Sequence, residues 1–510
     1  MARTGIFRTK SVEQSIADTD EPESKLRKDL TAWDLTVFGV AVVVGAGIFT
    51  LTARTAGNVA GPSVSLAFVL AAIACGLAAL CYAEFASTVP VAGSAYTFSY
   101  ATFGEFVAWI IGWDLTLEFA LASSVVAKGW SLYLGNVIGA EGSTVVSLGG
   151  VDFDWGSVLL IAVLTVILAT GTKLSSRVSQ VVTGIKVAVV LLVIVVGAFY
   201  ISKDNYSPYI PPSAPKSTGE GIHQSLFSFL TGAGGSTYGW YGLLAAASLV
   251  FFAFIGFDVV ATTAEETKNP QKALPRGILG SLAIVTVLYV AVTLVLTGMV
   301  KYTTLATENS TLATAFEYHG ITWAQWVINL GALAGLTTVV MVMLLGQTRV
   351  LFAMSRDGLM PRQLAHTGRH GTPVRITVIV GLVSAVLAGF FPMGTLEEMV
   401  NIGTLFAFVL VCLGVIVLRR TRPDLPRGFR VPWVPLVPVL AVLACGWLML
   451  NLSVETWIRF VVWMAIGIVV YFGYGYRHSL VGKRMRPPPG LAAEALDHLG
   501  GPDEPTHLGR

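Results

Sequence analysis

Twelve runs of apolar residues, most of them long enough to cross a hydrocarbon layer as a helix, limit what this chain can fold into more than any other feature. They cover residues 33–56, 63–89, 103–137, 156–170, 181–201 and 239–263, then 276–300, 323–354, 376–390, 399–418, 434–450 and 458–474. A helix needs roughly 20 mostly apolar residues to span a bilayer. Inside lipid every backbone N–H and C=O must be satisfied within the protein, so runs of this kind read as α-helices. The third and eighth are long enough to tilt or to project; the fourth and ninth are short. Charge is scarce to match, because only 12% of the 510 residues are Asp, Glu, Lys or Arg, against about 25% in soluble domains. With a mean hydropathy of +0.71, lipid is the expected neighbour for most of the surface. The fold class expected is an all-α polytopic membrane protein.

The loops set an orientation. With the N-terminus and its Lys25, Arg27 and Lys28 inside, the inner loops carry Lys173, Arg177, Lys268, Lys272, Arg276, Arg356, Arg362, Arg369 and Arg375, followed by Arg419, Arg420, Arg422, Arg427 and Arg430. The opposite loops hold only Lys203, Lys216, Lys301 and Arg459, beside acids such as Asp152, Asp154, Glu397 and Glu398. A Lys/Arg bias of this kind orients membrane proteins, so both termini are expected in the cytoplasm and the chain in the cell membrane. The net charge of +3, spread over loops, gives no reason to expect a nucleic-acid partner. Residues 1–30 are polar and mixed in charge, with no apolar leader.

Enzyme and metal chemistry find no foothold. Cys75, Cys81, Cys412 and Cys445 all lie in apolar runs without a CxxC pair, so they read as small buried hydrophobes. No nucleophile–base pair, HExxH motif or phosphate loop is present, and the seven histidines mostly sit in loops or tails. No cofactor is expected. Two sequons, at Asn205 and Asn309, are too common a pattern to carry weight.

Two of the runs are interrupted. The first reads Val40-Ala-Val-Val-Val-Gly45-Ala-Gly47-Ile-Phe49, and the sixth reads Phe251-Phe-Ala-Phe-Ile-Gly256-Phe-Asp258. They occupy matching positions in two five-run halves. A glycine in mid-membrane frees backbone groups that must find other partners. Glycine-interrupted helices in corresponding places of two halves point to an inverted-repeat transporter with a midplane site. The half-helix N-termini would offer amides to a carboxylate, and the unwound carbonyls would accept from an ammonium.

Further stretches carry a resemblance. They are Val91-Ala-Gly-Ser-Ala-Tyr96, Gly104-Glu105, Gly112-Trp-Asp-Leu-Thr-Leu-Glu118 and Thr262-Thr-Ala-Glu-Glu-Thr-Lys-Asn-Pro270. Gly346-Gln-Thr-Arg349, Ala353-Met-Ser-Arg-Asp-Gly358 and Asn401-Ile-Gly-Thr-Leu-Phe406 follow in order. From about Asp29 to Pro432 the chain resembles the amino acid–polyamine–organocation superfamily, and within it the cationic amino acid transporter branch and its bacterial relatives. The resemblance implies a LeuT-like bundle of five helices plus five inverted, with two more helices at the C-terminus. The boundaries expected are 1–30 for an N-terminal segment, 31–420 for the ten-helix core, 421–476 for the additional pair and 477–510 for a disordered tail.

It also implies one amino acid held at the two breaks. The carboxylate would meet amides around Gly45, Ala46 and Gly47, and the ammonium would meet carbonyls of Val43, Phe252, Ala253 and Ile255. Phe252 would form an aromatic lid. Many relatives carry a hydroxyl residue where this chain has Ala46, so only the backbone can serve there. From the eighth helix, Leu336 and Thr337 are candidates to line the substrate side chain.

Lys186 lies within the fifth run, where a lysine costs roughly 3 kcal/mol on insertion scales and is a functional hypothesis by default. In sodium-independent members of the superfamily a fifth-helix lysine takes the place of a sodium ion. By that resemblance Lys186 would hold the first helix through its carbonyls when protonated and release it when neutral. Glu118 is the acidic candidate beside the site, as proton carrier or static anchor. Asp258 reads as a cap for the second half of the sixth helix and Glu105 as an interfacial residue. Glu265, Glu266 and Lys268 read as a solvated gate or a simple loop face, and Arg349, Arg356 and Asp357 as a lock of the inward gate or headgroup anchors.

The apolar eighth-helix segment Gly331–Thr338 favours a neutral amino acid, although Thr337, Thr338 and Thr404 could bind a distal cation through water. Proton-coupled amino acid symport is the expected activity. The readings kept beside it are sodium-independent exchange, a permease for arginine or lysine, and an amino acid sensor that signals without flux.

Overall fold

The computed structural model describes residues 8, 30–89, 94–139, 144–171, 176–215, 221–232, 236–307, 309–366 and 372–484. The long helices are α1 (Ala32–Val43), α2 (Val64–Thr88), α3 (Glu105–Ile138), α4 (Trp155–Ala169), α5 (Ser176–Ala198) and α6 (Gly239–Val250). They continue as α7 (Pro270–Met299), α8 (Thr322–Arg356), α9 (Val374–Phe390), α10 (Met393–Thr421), α11 (Leu436–Leu450) and α12 (Val454–Val470). Among the described residues, eight helical stretches are long and apolar enough to cross a membrane, and α1, α4, α9 and α11 are shorter apolar helices. The chain is a polytopic, mostly helical membrane protein.

Local chemistry sets where helices start and stop. At the head of α1, the Asp34 amide donates to Thr31 Oγ1 at 3.3 Å and the Thr31 amide donates to Asp34 Oδ2 at 2.9 Å, a reciprocal capping box. After α1 the chain resumes as a wide π-type turn over Gly47–Leu51 and runs helically to Ala60. Gly61, at φ +65°, then reverses it into α2. Asp154 caps α4 by accepting from the Ser157 amide at 3.1 Å. Pro270 opens α7, where its missing N–H costs nothing.

The most extensive contacts are α3 on α8 and α7 on α2 and α1, with α10 against α3 and α11. This places the α1 and α6 breaks among buried helices. Large apolar side chains point outward instead from α4 (Val166), α5 (Val195), α7 (Val287), α9 (Leu382), α11 (Leu443) and α12 (Val469), all exposed. In water that surface would cost about 25 cal/mol per Å²; facing lipid it does not.

Several expectations change. The tenth run was expected from residue 399, but α10 begins at Met393. Glu397 and Glu398 had cut the apolar pattern short, yet both are partnered: Arg54 pairs with Glu397, and Ser453 and Thr456 donate to Glu398 Oε2 at 2.5 and 2.6 Å. Glu105, expected at an interface, is fully buried. The tail expected to be disordered from residue 477 is helical over Tyr476–His478 and Leu480–Arg484, because Leu480 N–H donates to Asp357 O at 3.0 Å and Arg8 packs on this segment. Residues 485–510 lie outside the described residues, as do Lys25, Arg27, Lys28, Val91, Lys173, Lys216 and Arg369.

Candidate functional site

The two interrupted helices meet at their interruptions. Backbone hydrogen bonding in α1 ends at Val44, whose ψ of 89° leaves the helical range. In the sixth run the helix tightens to a 3₁₀ turn over Phe251–Phe254, and Ile255 is extended at φ −64°, ψ 137°. Gly256 follows at φ +118°, a conformation side chains rarely adopt. A Cβ on Gly47 would lie 2.3 Å from Ala253 Cα, and one on Gly256 would lie 2.7 Å from Val42 Cγ1. Glycine at 47 therefore lets the first break touch the backbone of the sixth helix, and glycine at 256 makes room for the Val42 side chain of α1.

A helix that stops in mid-membrane leaves carbonyls without partners. Side chains from other helices take them. Lys186 on α5, 1% exposed, donates from Nζ to Ala41 O at 2.5 Å and to Val44 O at 3.4 Å. Tyr289 on α7 donates its hydroxyl to Val43 O at 2.7 Å. A cation at a helix C-terminus also complements the helix dipole. At the sixth-helix break, Asn401 on α10 donates from Nδ2 to Ser248 O at 2.9 Å and Leu249 O at 3.3 Å. Beyond the first break, Tyr133 on α3 donates to Phe49 O at 2.7 Å.

The other residues singled out in the sequence distribute as follows. Gly45, Ala46, Gly47, Val43, Phe252, Ala253 and Ile255 are buried at the junction of the two breaks. The Val43 carbonyl already accepts from Tyr289, and the Phe252 carbonyl accepts from the Ile255 amide at 3.2 Å. On α8 the faces differ from expectation. Gly335 lies over the Lys186 stem, where a Cβ would come 2.7 Å from Lys186 Cγ, and Val339 stands 3.4 Å from a Cβ placed on Gly45. Leu336 is fully buried, whereas the Thr337 hydroxyl returns to its own helix at Leu333 O, 2.7 Å away. Residues 335 and 339 share a face, and residue 337 stands roughly opposite.

A second polar group lies behind the break. Glu118 and Asp114 share one face of α3, four residues apart, and both are buried. Among the described residues neither oxygen of Asp114 has a hydrogen-bond partner, nor do Glu118 Oε2 and Asp258 Oδ1. Glu118 stands in the electrostatic field of Asp258 and Asp114 and beside Thr404. Gly403 of α10 faces Asp114, with Oδ1 2.8 Å from where a Cβ would sit. Among the described residues no group of three or more His, Cys, Asp or Glu is arranged to hold a metal. Such carboxylates can exchange a proton or receive a donor group without first breaking a hydrogen bond. Asp114, Tyr289 and Asn401 were not picked out from the sequence. Only Asp114 had left a signal, its spacing of four from Glu118.

Farther along α8, Arg349 Nη2 lies 3.7 Å from Glu266 Oε1, with both side chains partly solvated. Tyr96 donates its hydroxyl to Asp357 Oδ2 at 2.7 Å. The side chain of Glu265 lies outside what is described.

Similarity to known proteins agrees with this architecture. Residues 30–472 match the family described as "Amino acid permease". The chain is 44% identical to the branched-chain amino acid permease BcaP of Bacillus subtilis, over 94% of this chain and 99% of that one. It is 41% identical to the methylthioribose transporter of the same organism, over 94% and 100%. It is 30% identical to the vacuolar cationic amino acid transporter 4 of Arabidopsis thaliana, over 97% and 99%. With a family match across most of the chain and relatives aligned almost end to end, the chain belongs to the amino acid permease family of the amino acid–polyamine–organocation superfamily.

Proposed function

We propose that the chain is a proton-coupled symporter of neutral amino acids with a LeuT-like fold. Residues 31–420 form a ten-helix inverted-repeat core, 421–476 add two helices, and twelve crossings leave both termini in the cytoplasm of the cell that carries it. Its partners are the amino acid, the proton and membrane lipid, with no nucleic acid and no cofactor. The substrate carboxylate meets the amides of Gly45, Ala46 and Gly47, its ammonium meets carbonyls of Val43, Phe252, Ala253 and Ile255, and Phe252 covers it. Leu336, with Val339, bounds the side-chain space; Thr337 contributes only if α8 rotates.

The observation that carries the reading is the pair of hydrogen bonds from Lys186 to Ala41 O and Val44 O. Protonated, the ammonium has three donors and ties the end of α1 down. Neutral, it loses the charge that makes those bonds strong and frees α1 to move. Glu118, with Asp114 behind it, is the acceptor to which the proton passes. A relative whose name gives branched-chain amino acids supports a neutral substrate.

The test is uptake into liposomes, acidic outside and neutral inside, with labelled leucine or alanine and unlabelled arginine, lysine and methylthioribose as competitors. Accumulation that collapses with a protonophore and is blocked by neutral amino acids is the expected result. Block by arginine or lysine would make it a cationic permease, block by methylthioribose a thiosugar carrier, and a requirement for preloaded substrate an exchanger. Binding without flux would favour a sensor. Lys186→Ala abolishes pH-driven accumulation; unchanged accumulation in that variant would remove the coupling role.

A further inference from the structure

A basic pocket lies far from the breaks, where α8 and α12 leave the bundle at the same end. It has a volume of about 370 Å³ and is lined by Arg362, Gln363, Tyr474, His478 and Lys483, with Gly358 and Pro361 at its edge. None of the lining side chains is a carboxylate.

The walls are fixed by backbone contacts. Leu480 N–H donates to Asp357 O at 3.0 Å. Gly358, at φ +77°, approaches so closely that a Cβ there would come 2.7 Å from His478 O. The His478 ring stacks on Tyr474, with centroids 4.1 Å apart and planes 10° from parallel. Its Nδ1 lies 2.9 Å from Tyr474 O. A carbonyl only accepts, so Nδ1 carries the hydrogen and Nε2 is left for another partner. The nearby acid, Asp357, accepts from Tyr96 instead.

Arg362, Gln363, Tyr474 and Lys483 can each donate a hydrogen bond into this space, and His478 Nε2 can once its ring is protonated. Arg362 offers a planar fork and Lys483 a point charge, and Gln363 and Tyr474 add neutral donors. A ligand that only accepts, carries negative charge and presents several oxygens satisfies such a set, and phosphate is that group. The level in the membrane agrees, because Val469 and Phe472, just before Tyr474, are exposed apolar residues on the surface given to lipid. The pocket therefore opens where acyl chains give way to headgroups. Basic pockets between helices at that level suit anionic headgroups.

We propose that this pocket binds a phosphate group, supplied by an anionic phospholipid headgroup, with free phosphate as the other source of the same chemistry. Occupancy adds a polar bridge between the segments that follow α8 and α12, which the Leu480–Asp357 backbone bond already holds together.

The experiment uses the full chain purified in a neutral detergent. Native mass spectrometry titrates phosphatidylglycerol and phosphatidylcholine, and calorimetry titrates inorganic phosphate. The chain should retain phosphatidylglycerol over phosphatidylcholine, and Arg362→Ala combined with Lys483→Ala should weaken that retention about tenfold or more. The charge-matched control, Arg276→Ala with Arg420→Ala, removes two exposed arginines that do not line the pocket and should change nothing. Phosphate heat that vanishes in the pocket variant, with unchanged lipid retention, would sustain the pocket and assign free phosphate as its source. Retention of lipid and phosphate equal to the unaltered chain would overturn the proposal, and so would an equal loss in the control. If the double variant is not monodisperse, Lys483→Ala alone, at an exposed side chain, is read by the same criteria.

Discussion

Glu105 and Glu118 stand on the same helix, about 20 Å apart at 1.5 Å per residue, and both are buried, yet their surroundings are opposite. Glu105 accepts from Arg8 Nε at 3.0 Å and Nη2 at 2.6 Å, from Tyr100 at 2.8 Å, from Tyr471 at 3.0 Å and from the Ser479 hydroxyl. Glu118 Oε2 and both oxygens of Asp114, one turn before it, accept no hydrogen bond from the described residues. Burial alone therefore does not mark a working acid. A carboxylate whose lone pairs are all engaged is a staple, because changing its charge breaks several bonds together. A buried carboxylate with open lone pairs is costly to keep in a purely structural role, and that unrelieved cost is what points to exchange of a proton or a donor group.

The largest effect should come from breaking the staple. Arg8 pairs with Glu105 on α3 and donates to Tyr476 O beyond α12, and its guanidinium also stacks 4.9 Å over the Tyr476 ring. Glu105→Ala leaves that guanidinium buried without its counter-charge, which typically costs about 3–5 kcal/mol. The expected outcome is a marked fall in the melting midpoint in detergent and a low yield of monodisperse protein. Combining Glu105→Ala with Arg8→Ala should recover part of the loss, since contacting residues are not additive. A Glu105→Ala chain that melts like the unaltered one would place Glu105 with Glu118 instead.

Next in size is the reverse experiment on the open pair. Glu118→Gln and Asp114→Asn remove buried charge without removing a counter-ion, so the melting midpoint should hold or rise. Uptake driven by a pH gradient should fall roughly tenfold, equivalent to ~1.4 kcal/mol, and lose its pH dependence, whereas exchange between preloaded vesicles should survive. A fall in stability with undiminished gradient-driven uptake would make these carboxylates structural and erase the contrast.

How much of this was legible in the sequence depends on whether the signal was local. Apolar length gave the helices, and the glycines at 45, 47 and 256 marked the breaks, because backbone freedom is a property of the residue itself. Lys186 stood out because no neighbour in the run is charged. The Glu105 cage was not legible: its partners are Arg8, 97 residues away, and Tyr471, 366 residues away, and no local pattern carries such distances. The face of α8 was hidden for another reason. Apolar residues surround that helix on nearly every side, so periodicity could not separate Gly335 and Val339 from Thr337. Tyr289 and Asn401 donate to helix ends, but a tyrosine in an apolar run and an asparagine within a turn of glutamates look like ordinary packing.

A smaller effect is expected at the hydroxyl that binds the same helix end as Lys186. Tyr289→Phe removes one neutral hydrogen bond to Val43 O while keeping the ring that packs on Phe68 and Phe254. Such a bond contributes about 1 kcal/mol. Substrate affinity should shift by less than the loss in Glu118→Gln, and the pH dependence should remain, since no ionisable member of the coupling pair has been touched. Loss of pH dependence in Tyr289→Phe would mean that the hydroxyl takes part in the proton path.

The smallest effect should come from an ion pair that has charge without burial. In the loop after α10, Arg422 donates to Asp424 from Nε at 3.1 Å and Nη2 at 3.0 Å, and this guanidinium holds the Asp424 carboxyl below its ordinary value. A lowered value means that the pair contributes above the ordinary carboxylate range, near pH 4. The contribution fades as pH falls through the lower folded-state value. Asp424 is fully exposed, so water and salt screen the attraction over roughly 8 Å. Asp424→Asn should therefore leave both the melting midpoint and uptake unchanged from pH 5 to 8, with no added sensitivity to salt. A measurable loss at neutral pH that high salt removes would show that charge pairing stabilises this protein even in water. The strength of the Glu105 cage could then no longer be credited to burial and its full set of donors.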